Sequence, residues 1–500
     1  MGGRQPSPVG VKTWASVPSV HRIQYDGAIE FFSFIFKIES SSMSHSRPSR
    51  RRFLRSSALL TAAACVTQRS RRAIGFQNAN DRPRMAVVGC GSRWDQRATI
   101  ANGPHGLGKQ FPKFADIVAV CDPDAHRVER AQGLVKEWLT SQPEGTGDYR
   151  KIIDRDDIDV VHIVTPDHWH AKVAIEAMLS GKDVYCEKPM TLTIEEGRQI
   201  CEVQQKTGRV FQVGTQQRSI PHMLKAVALV HEGRLGKLTK VQCAIGGGPT
   251  SPQLPIASAP SHFDWNQWLG PAPMTDFRSL QGARNEVKSW SRTHYEFRWW
   301  YEYSGGKLTD WGAHHVDIAT WGMGKTMTGP VRVEPLMVKH PVEFVDGFPT
   351  DPERYNTATE FNIKAVYADG LELTLRHDTD NGILFEGTEG RIFVNRGRLT
   401  GKPVEDLENR PLPEGALESL YGRPLTDHVT NFFQSVADRK PAVSDPQSHH
   451  RALSTCHLAG IAARLGRTIQ WDPEKENVLN DAQAQGLVSR EKRKRFEIEM

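Results

Sequence analysis

From residue 84 to residue 213 the chain alternates short apolar runs with helical stretches, and this rhythm narrows the fold more than any other feature. Residues 84–88, 117–122, 159–165, 183–186 and 210–213 read as strands. Helical stretches over 170–180 and 194–207 stand between the later ones. Strands joined by helices pair in parallel, because a parallel partner needs a crossover long enough to hold a helix. The pattern therefore predicts a doubly wound α/β sheet, with ligands bound at the carboxyl ends of its strands. Those ends read Gly89-Cys90-Gly91, Asp122, Thr165-Pro166-Asp167-His168 and Glu187-Lys188-Pro189.

The first end opens like a dinucleotide-binding turn, where glycines let a pyrophosphate approach backbone N–H groups. Gly89, Gly91 and Ser92 are its candidate cofactor residues. Trp94 stands where a third glycine is expected, which leaves close helix–strand packing in question. Asp122, 33 residues after Gly89, is placed to hydrogen-bond ribose hydroxyls. The spacing exceeds the usual ~20, so the first loop is enlarged. The carboxylate favours NAD, while Arg127 keeps NADP open.

A second motif lies far downstream: Gly305-Gly306-Lys307-Leu308-Thr309-Asp310-Trp311-Gly312-Ala313-His314-His315-Val316-Asp317. Asp310 and His314 are four apart, so a helix brings them to one face, with Asp317 joining it. An imidazole beside a carboxylate handles protons. The same spacing also describes an exposed surface pair. Residues 239–246, 332–339, 360–367, 371–377, 382–387 and 390–394 read as longer strands, with a hairpin turn at Asp369-Gly370. Residues 427–436 and 449–465 read as closing helices.

Length and composition bound the rest. The 500 residues are 38% hydrophobic and 24% charged, which fits a globular protein of two or three domains. The formal net charge of +6 splits unevenly: residues 1–84 hold 14 Lys/Arg against 4 Asp/Glu, leaving 50 against 54 in the remainder. A mildly acidic body argues against a nucleic-acid surface. No run of 18 apolar residues suggests a transmembrane span. The seven cysteines, Cys65, Cys90, Cys121, Cys186, Cys201, Cys243 and Cys456, form no C-x-x-C pair and predict neither a disulfide framework nor a zinc site.

Near the front, Ser49-Arg50-Arg51-Arg52-Phe53-Leu54-Arg55 precedes a mild apolar run and resembles a twin-arginine export signal. Met43 would begin such a leader, which makes residues 1–42 an expected upstream extension. The expected location is periplasmic by way of the twin-arginine machinery, or cytoplasmic if the signal does not act.

Glu187-Lys188-Pro189 after a strand, followed by Asp310-x-x-x-His314, resembles the Gfo/Idh/MocA oxidoreductase family. Thr165–His170, Gln212–Arg218, and Asp264-Trp265 through Trp268-Leu269-Gly270-Pro271 agree with it, and the likeness covers about residues 84–490. It implies a Rossmann-like parallel sheet followed by an α+β domain with an open, mostly antiparallel sheet. The expected boundaries are 43–84 for signal and linker, 85–215 for the NAD(P)-binding domain, 216–436 for the substrate and oligomerisation domain, and 437–500 for a helix and tail packing back on the first domain. It also implies a homo-oligomer, dimer or tetramer. The implied reaction is NAD(P)-dependent oxidation or reduction of a sugar or polyol hydroxyl, with Lys188 near the nicotinamide and substrate oxygen, His314 as acid/base and Asp310 assisting it. Thr165, Pro166, His168, Glu187 and Lys188 join the cofactor residues. Gln216, Arg218, Trp300 and Asp317 are substrate candidates, and no metal is expected. Arg292 and Arg298 are read as holders of an anionic group, and the aromatics around residues 265–301 as a sugar-stacking surface. An exported enzyme meets no free NAD pool, so the cofactor is expected to stay bound. Redox-neutral glycoside cleavage through a transient keto sugar, or sugar binding without catalysis, are the alternative readings.

Overall fold

The computed structural model describes residues 82–95, 99–100, 103–104, 106–283 and 289–500. The export motif, Met43 and Cys65 lie outside the described residues.

Six parallel strands build the first sheet: β1 (Arg84–Val88), β2 (Asp116–Cys121), β3 (Glu144–Thr146), β4 (Val160–Ile163), β5 (Asp183–Cys186) and β6 (Phe211–Val213). Their spatial order is β3-β2-β1-β4-β5-β6, so the order reverses beside β1 and opens a crevice at its carboxyl end. The edge strand β3 escapes sequence reading because Glu144, Gly145 and Thr146 show no apolar pattern. The helices that connect these strands include α1 (Ser92–Asp95), α2 (Ala125–Leu139), α3 (Asp167–Leu179) and α4 (Ile194–Thr207), with a single turn at Arg150–Ile153 between β3 and β4. Asp124 caps α2 by accepting from the His126 N–H, and Thr193 caps α4 by accepting from the Glu196 N–H, which satisfies donors that a helix start leaves open.

Trp94 resolves the altered glycine turn. Helix α1 is only one turn long. The indole is fully buried and packs on Trp138 at 5.4 Å. A Cβ at Gly108 would come within 2.8 Å of that indole, so Gly108 supplies the room that the missing third glycine would have provided.

The second sheet has nine strands: β7 (Leu238–Ala244), β8 (Arg332–Lys339), β9 (Glu360–Val366), β10 (Glu372–Arg376), β11 (Gly382–Gly387), β12 (Gly390–Val394), β13 (Leu399–Thr400), β14 (Ile469–Asp472) and β15 (Asn477–Val478). Its order is β13-β12-β11-β7-β10-β9-β8-β14-β15, and every pairing but β7 with β10 is antiparallel. In β9 buried and half-buried residues alternate strictly, as expected of a sheet with one covered face. The inward face carries Phe361, Ile363 and Ala365 together with Leu373 and Leu375. The other face is polar: Lys364 reaches Glu334 at 3.0 Å and Glu372 at 3.3 Å, and Arg376 reaches Gln242 at 3.1 Å.

Helices α5 (Pro221–His231), α6 (Lys307–Asp310), α7 (Gly312–Gly322), α8 (His428–Asp438) and α9 (Pro446–Leu465) complete the described core. Of these, α7 and α9 are buried along most of their length. The last residues return to the first sheet's helices, where Arg490 pairs with Glu196 at 2.8 Å, Phe496 packs edge-on to Trp169, and Lys172 donates to the Glu497 carbonyl. No described helix is long and apolar enough to cross a membrane. The six described cysteines are all buried and free.

Candidate active site

A cavity of about 320 Å³ runs from the carboxyl end of β1 to the start of α7. Its nucleotide end is built on Gly89, whose φ of +96° suits glycine. A Cβ there would lie 2.6 Å from the Val164 carbonyl. A Cβ on Gly91 would meet the Arg127 guanidinium at 2.8 Å, so the bare backbone lets that cation lie over the turn. Asp122 directly follows β2 and accepts from the Cys90 N–H at 2.8 Å and the Asp124 N–H at 3.0 Å, which fixes its carboxylate against the glycine turn. Burial pushes the Asp122 carboxyl above its ordinary value, against Arg127 and these two N–H bonds. Gly91, Ser92, Thr165, Pro166 and Glu187 line the same cavity. Bare backbone at the turn, a fixed carboxylate at the end of β2 and cations beside them fit a dinucleotide.

At the other end Lys188 follows β5, before a cis peptide bond to Pro189. Its Nζ donates to Asp310 Oδ1 at 2.6 Å and to the Asp310 carbonyl at 2.9 Å, so two of its three protons are committed. Arg298 approaches the same carboxylate at 3.5 Å. Burial raises the Asp310 carboxyl, but Lys188 and Arg298 outweigh it and hold the group well below the usual carboxylate range. His314 is 3% exposed, and its Nδ1 has no hydrogen-bond partner. Burial first, then the Lys188 and Arg396 charges, keep the imidazole well below its ordinary pKa. It is therefore a neutral base at neutral pH with a lone pair free.

The sequence pairs Asp310 with His314; the structure pairs Asp310 with Lys188 and Arg298, and no hydrogen bond joins it to the imidazole. The predicted single helix divides at Trp311, between α6 and α7. Five further candidates, Asp317, Arg218, Trp300, Arg292 and His168, do not line the cavity. Asp317 sits about 4.5 Å further along the helix axis than His314. It is fully buried in a bidentate pair with Arg218, both contacts at 2.7 Å, and His449 Nδ1 stands 3.2 Å from it. Trp300 is buried in an aromatic cluster with Arg292 stacked on it at 4.1 Å, so the loop's aromatics pack on one another and Arg292 is a core residue. His168 donates from Nε2 to the Trp268 carbonyl at 3.0 Å, beside Trp169 Nε1 donating to the same oxygen at 2.9 Å. Gln216 does line the cavity.

The lining residues not singled out from sequence include Arg93, which pairs with Glu187 at 3.2 Å, Asp167, Trp311 and Arg396. Arg93 directly follows Ser92 in the glycine turn and Asp167 lies inside the Thr165–His170 motif, so both were within reach. Arg396 sits in the turn after β12 with no local signature.

The fold and this cavity define an NAD-binding oxidoreductase. Residues 83–215 match the oxidoreductase family's NAD-binding Rossmann fold, and residues 247–498 match its C-terminal alpha/beta domain. The chain belongs to the Gfo/Idh/MocA oxidoreductase family. It is 34% identical over 170 residues to an alpha-N-acetylgalactosaminidase of Shewanella oneidensis, covering 32% of this chain and 36% of that protein. It is 31% identical over 197 residues to inositol 2-dehydrogenase 4 of Saccharopolyspora erythraea, covering 38% and 55%. The chain thus matches between about a third and somewhat over half of the length of these relatives. Among solved structures, levoglucosan dehydrogenase in complex with NADH and L-sorbose superposes with a TM-score of 0.53 at 19% identity, covering 78% of this chain and 98% of that one.

Proposed function

We propose that this protein is an NAD-dependent oxidoreductase acting on a hydroxyl of a sugar or polyol, with the cofactor retained on the protein. The observation that carries the reading is the joining, in one cavity, of the Gly89–Asp122 nucleotide end with the Lys188 ammonium and the neutral His314 imidazole. The nicotinamide, when bound, supplies the hydride chemistry. His314, neutral and buried, takes the hydroxyl proton at Nε2, because protein atoms close off Nδ1. Lys188 places a fixed positive charge where the carbinol oxygen develops negative charge. Asp310 holds that ammonium in place through its carboxylate and its carbonyl. The inositol dehydrogenase relative supports this reading.

The alpha-N-acetylgalactosaminidase relative favours a second reading, in which the same groups serve redox-neutral glycoside cleavage. Product analysis on glycosides separates the two: cleavage without net NADH means the second, and a stable keto product means the first. The twin-arginine motif supports export of the folded, cofactor-loaded protein.

Lys188→Ala and His314→Ala should each lower turnover by about 10²–10⁴-fold, the range for removing a positioned proton-transfer or charge-stabilising group. Near-normal rates in both variants would refute the site.

A further inference from the structure

Charge at the reaction end of the cavity is unbalanced. Four cations line it, Lys188, Arg93, Arg298 and Arg396, against three carboxyls, Glu187, Asp310 and Asp167. Arg93 takes Glu187, and Lys188 and Arg298 share Asp310. Arg396 has no carboxylate partner among the described residues. Its Nε stands 3.1 Å from the Gln217 side-chain oxygen, in the amide orientation that satisfies both ends of Gln217. Its guanidinium lies over the Trp311 indole at 4.6 Å. Stacking on an aromatic face orients the planar fork, and the remaining N–H groups form a bidentate donor suited to a carboxylate, sulfate or phosphate. Arg396 stands in the exposed turn between β12 and β13, at the mouth of the cavity, and its charge already bears on His314. A positive group whose charge reaches the catalytic base, and which feels Asp310 and Glu187 only at a distance without an ion pair, is matched by an acid on the ligand.

We propose that the substrate is an acidic sugar whose anionic group is held by Arg396, with a carboxylate, sulfate or phosphate sharing the required chemistry. This rests on the sugar-hydroxyl reading above and adds the substrate's charge class to it. The neutral hydroxyl to be oxidised then lies between this anchor and the pair Lys188 and His314. No new bond is made at Arg396; it positions the ring.

The test measures equilibrium binding by calorimetry to the NAD-loaded protein, independently of turnover. The probes are glucuronate, glucose 6-sulfate and glucose 6-phosphate, each compared with glucose. At least one acidic sugar should bind about tenfold or more tightly than glucose, the scale of a charge-assisted hydrogen-bond pair. The acidic-to-neutral affinity ratio should collapse in Arg396→Gln and be partly kept in Arg396→Lys, which retains charge but loses the fork. The three probes distinguish which oxyanion is held. Equal affinity for acidic and neutral sugars, or a preference that survives in Arg396→Gln, would overturn the inference. Turnover then tells the two readings apart. Oxidation of neutral sugars without an acidic preference leaves the oxidoreductase standing and removes this proposal. An Arg396-dependent preference with neither oxidation nor cleavage does the reverse.

Discussion

Replacing Asp317 by Asn separates a structural carboxylate from a substrate-binding one. Its side chain is wholly buried and Arg218 is 3% exposed. Burial raises the Asp317 carboxyl, and Arg218 with His449 more than reverses this, leaving it at about 2 against an ordinary 3.8. At about 1.4 kcal/mol per pKa unit, that difference makes ionised Asp317 worth roughly 2 kcal/mol to the folded state. The variant costs more, because the guanidinium stays buried without its counter-ion; breaking such a pair typically costs about 3–5 kcal/mol. Thermal and urea melts of Asp317→Asn at pH 7 should show a loss on that scale. Turnover of the folded fraction should stay within about threefold of the parent, since the group lies outside the cavity. A second variant, Asp317→Leu with Arg218→Met, removes both charges and should recover much of the loss, because isolated deletion is penalised more than removal of the pair. The folded-state pKa is depressed, so the contribution is full above about pH 4 and disappears as pH falls through about 2. The parent and Asp317→Asn melts should therefore converge over that interval. Unchanged stability combined with a hundredfold fall in kcat/KM would refute the reasoning and return Asp317 to the substrate site.

Other outcomes follow from the same geometry. Gly89→Ala places a Cβ 2.6 Å from the Val164 carbonyl at a φ of +96°, and native mass spectrometry should find the variant without nucleotide; full retention would contradict the assigned turn. Asp167 is buried and its carboxyl is pushed up to about 6 by that burial, against the pull of His170, Arg298 and Lys188. Its folded pKa is raised, so its stabilising contribution is present below about pH 4 and is lost as pH rises through about 6. Asp167→Asn should therefore be stabilised relative to the parent at pH 7 compared with pH 4, by roughly 2–3 kcal/mol; a difference that does not change with pH would contradict this.

Much of the first sheet could be read from apolar runs alone, because strands buried on both faces need little beyond Val, Ile and Ala. Six of the nine strands of the second sheet were legible at a period of two, because one face is covered, while β13, β14 and β15 are too short to show a pattern. Side-chain partners were less accessible. Spacing placed Asp310 and His314 on one side of a helix, and both do line the cavity. Spacing is silent about Lys188, 122 positions earlier, which claims the Asp310 carboxylate. Likewise the Arg218–Asp317 pair spans 99 positions and turns two apparent site residues into core. Trp300 misled because an aromatic-rich loop can cover a ligand or cover itself, and here Tyr303, Tyr355 and Arg292 fill the space around it. Arg396 carried no pattern, since its role arises only when the turn after β12 folds over Trp311.

The two bonds from His168 and Trp169 to the Trp268 carbonyl bear on how this molecule tolerates mutation. The acceptor is main chain, and every residue type at position 268 would carry it. Drift can erase the latch only from the donor side. Both donors fall in the segment Thr165–His170, whose first three residues also line the nucleotide end of the cavity. A lineage that alters this segment changes its grip on the nucleotide and its seat against the second half of the chain in one stroke, so these two properties are inherited together.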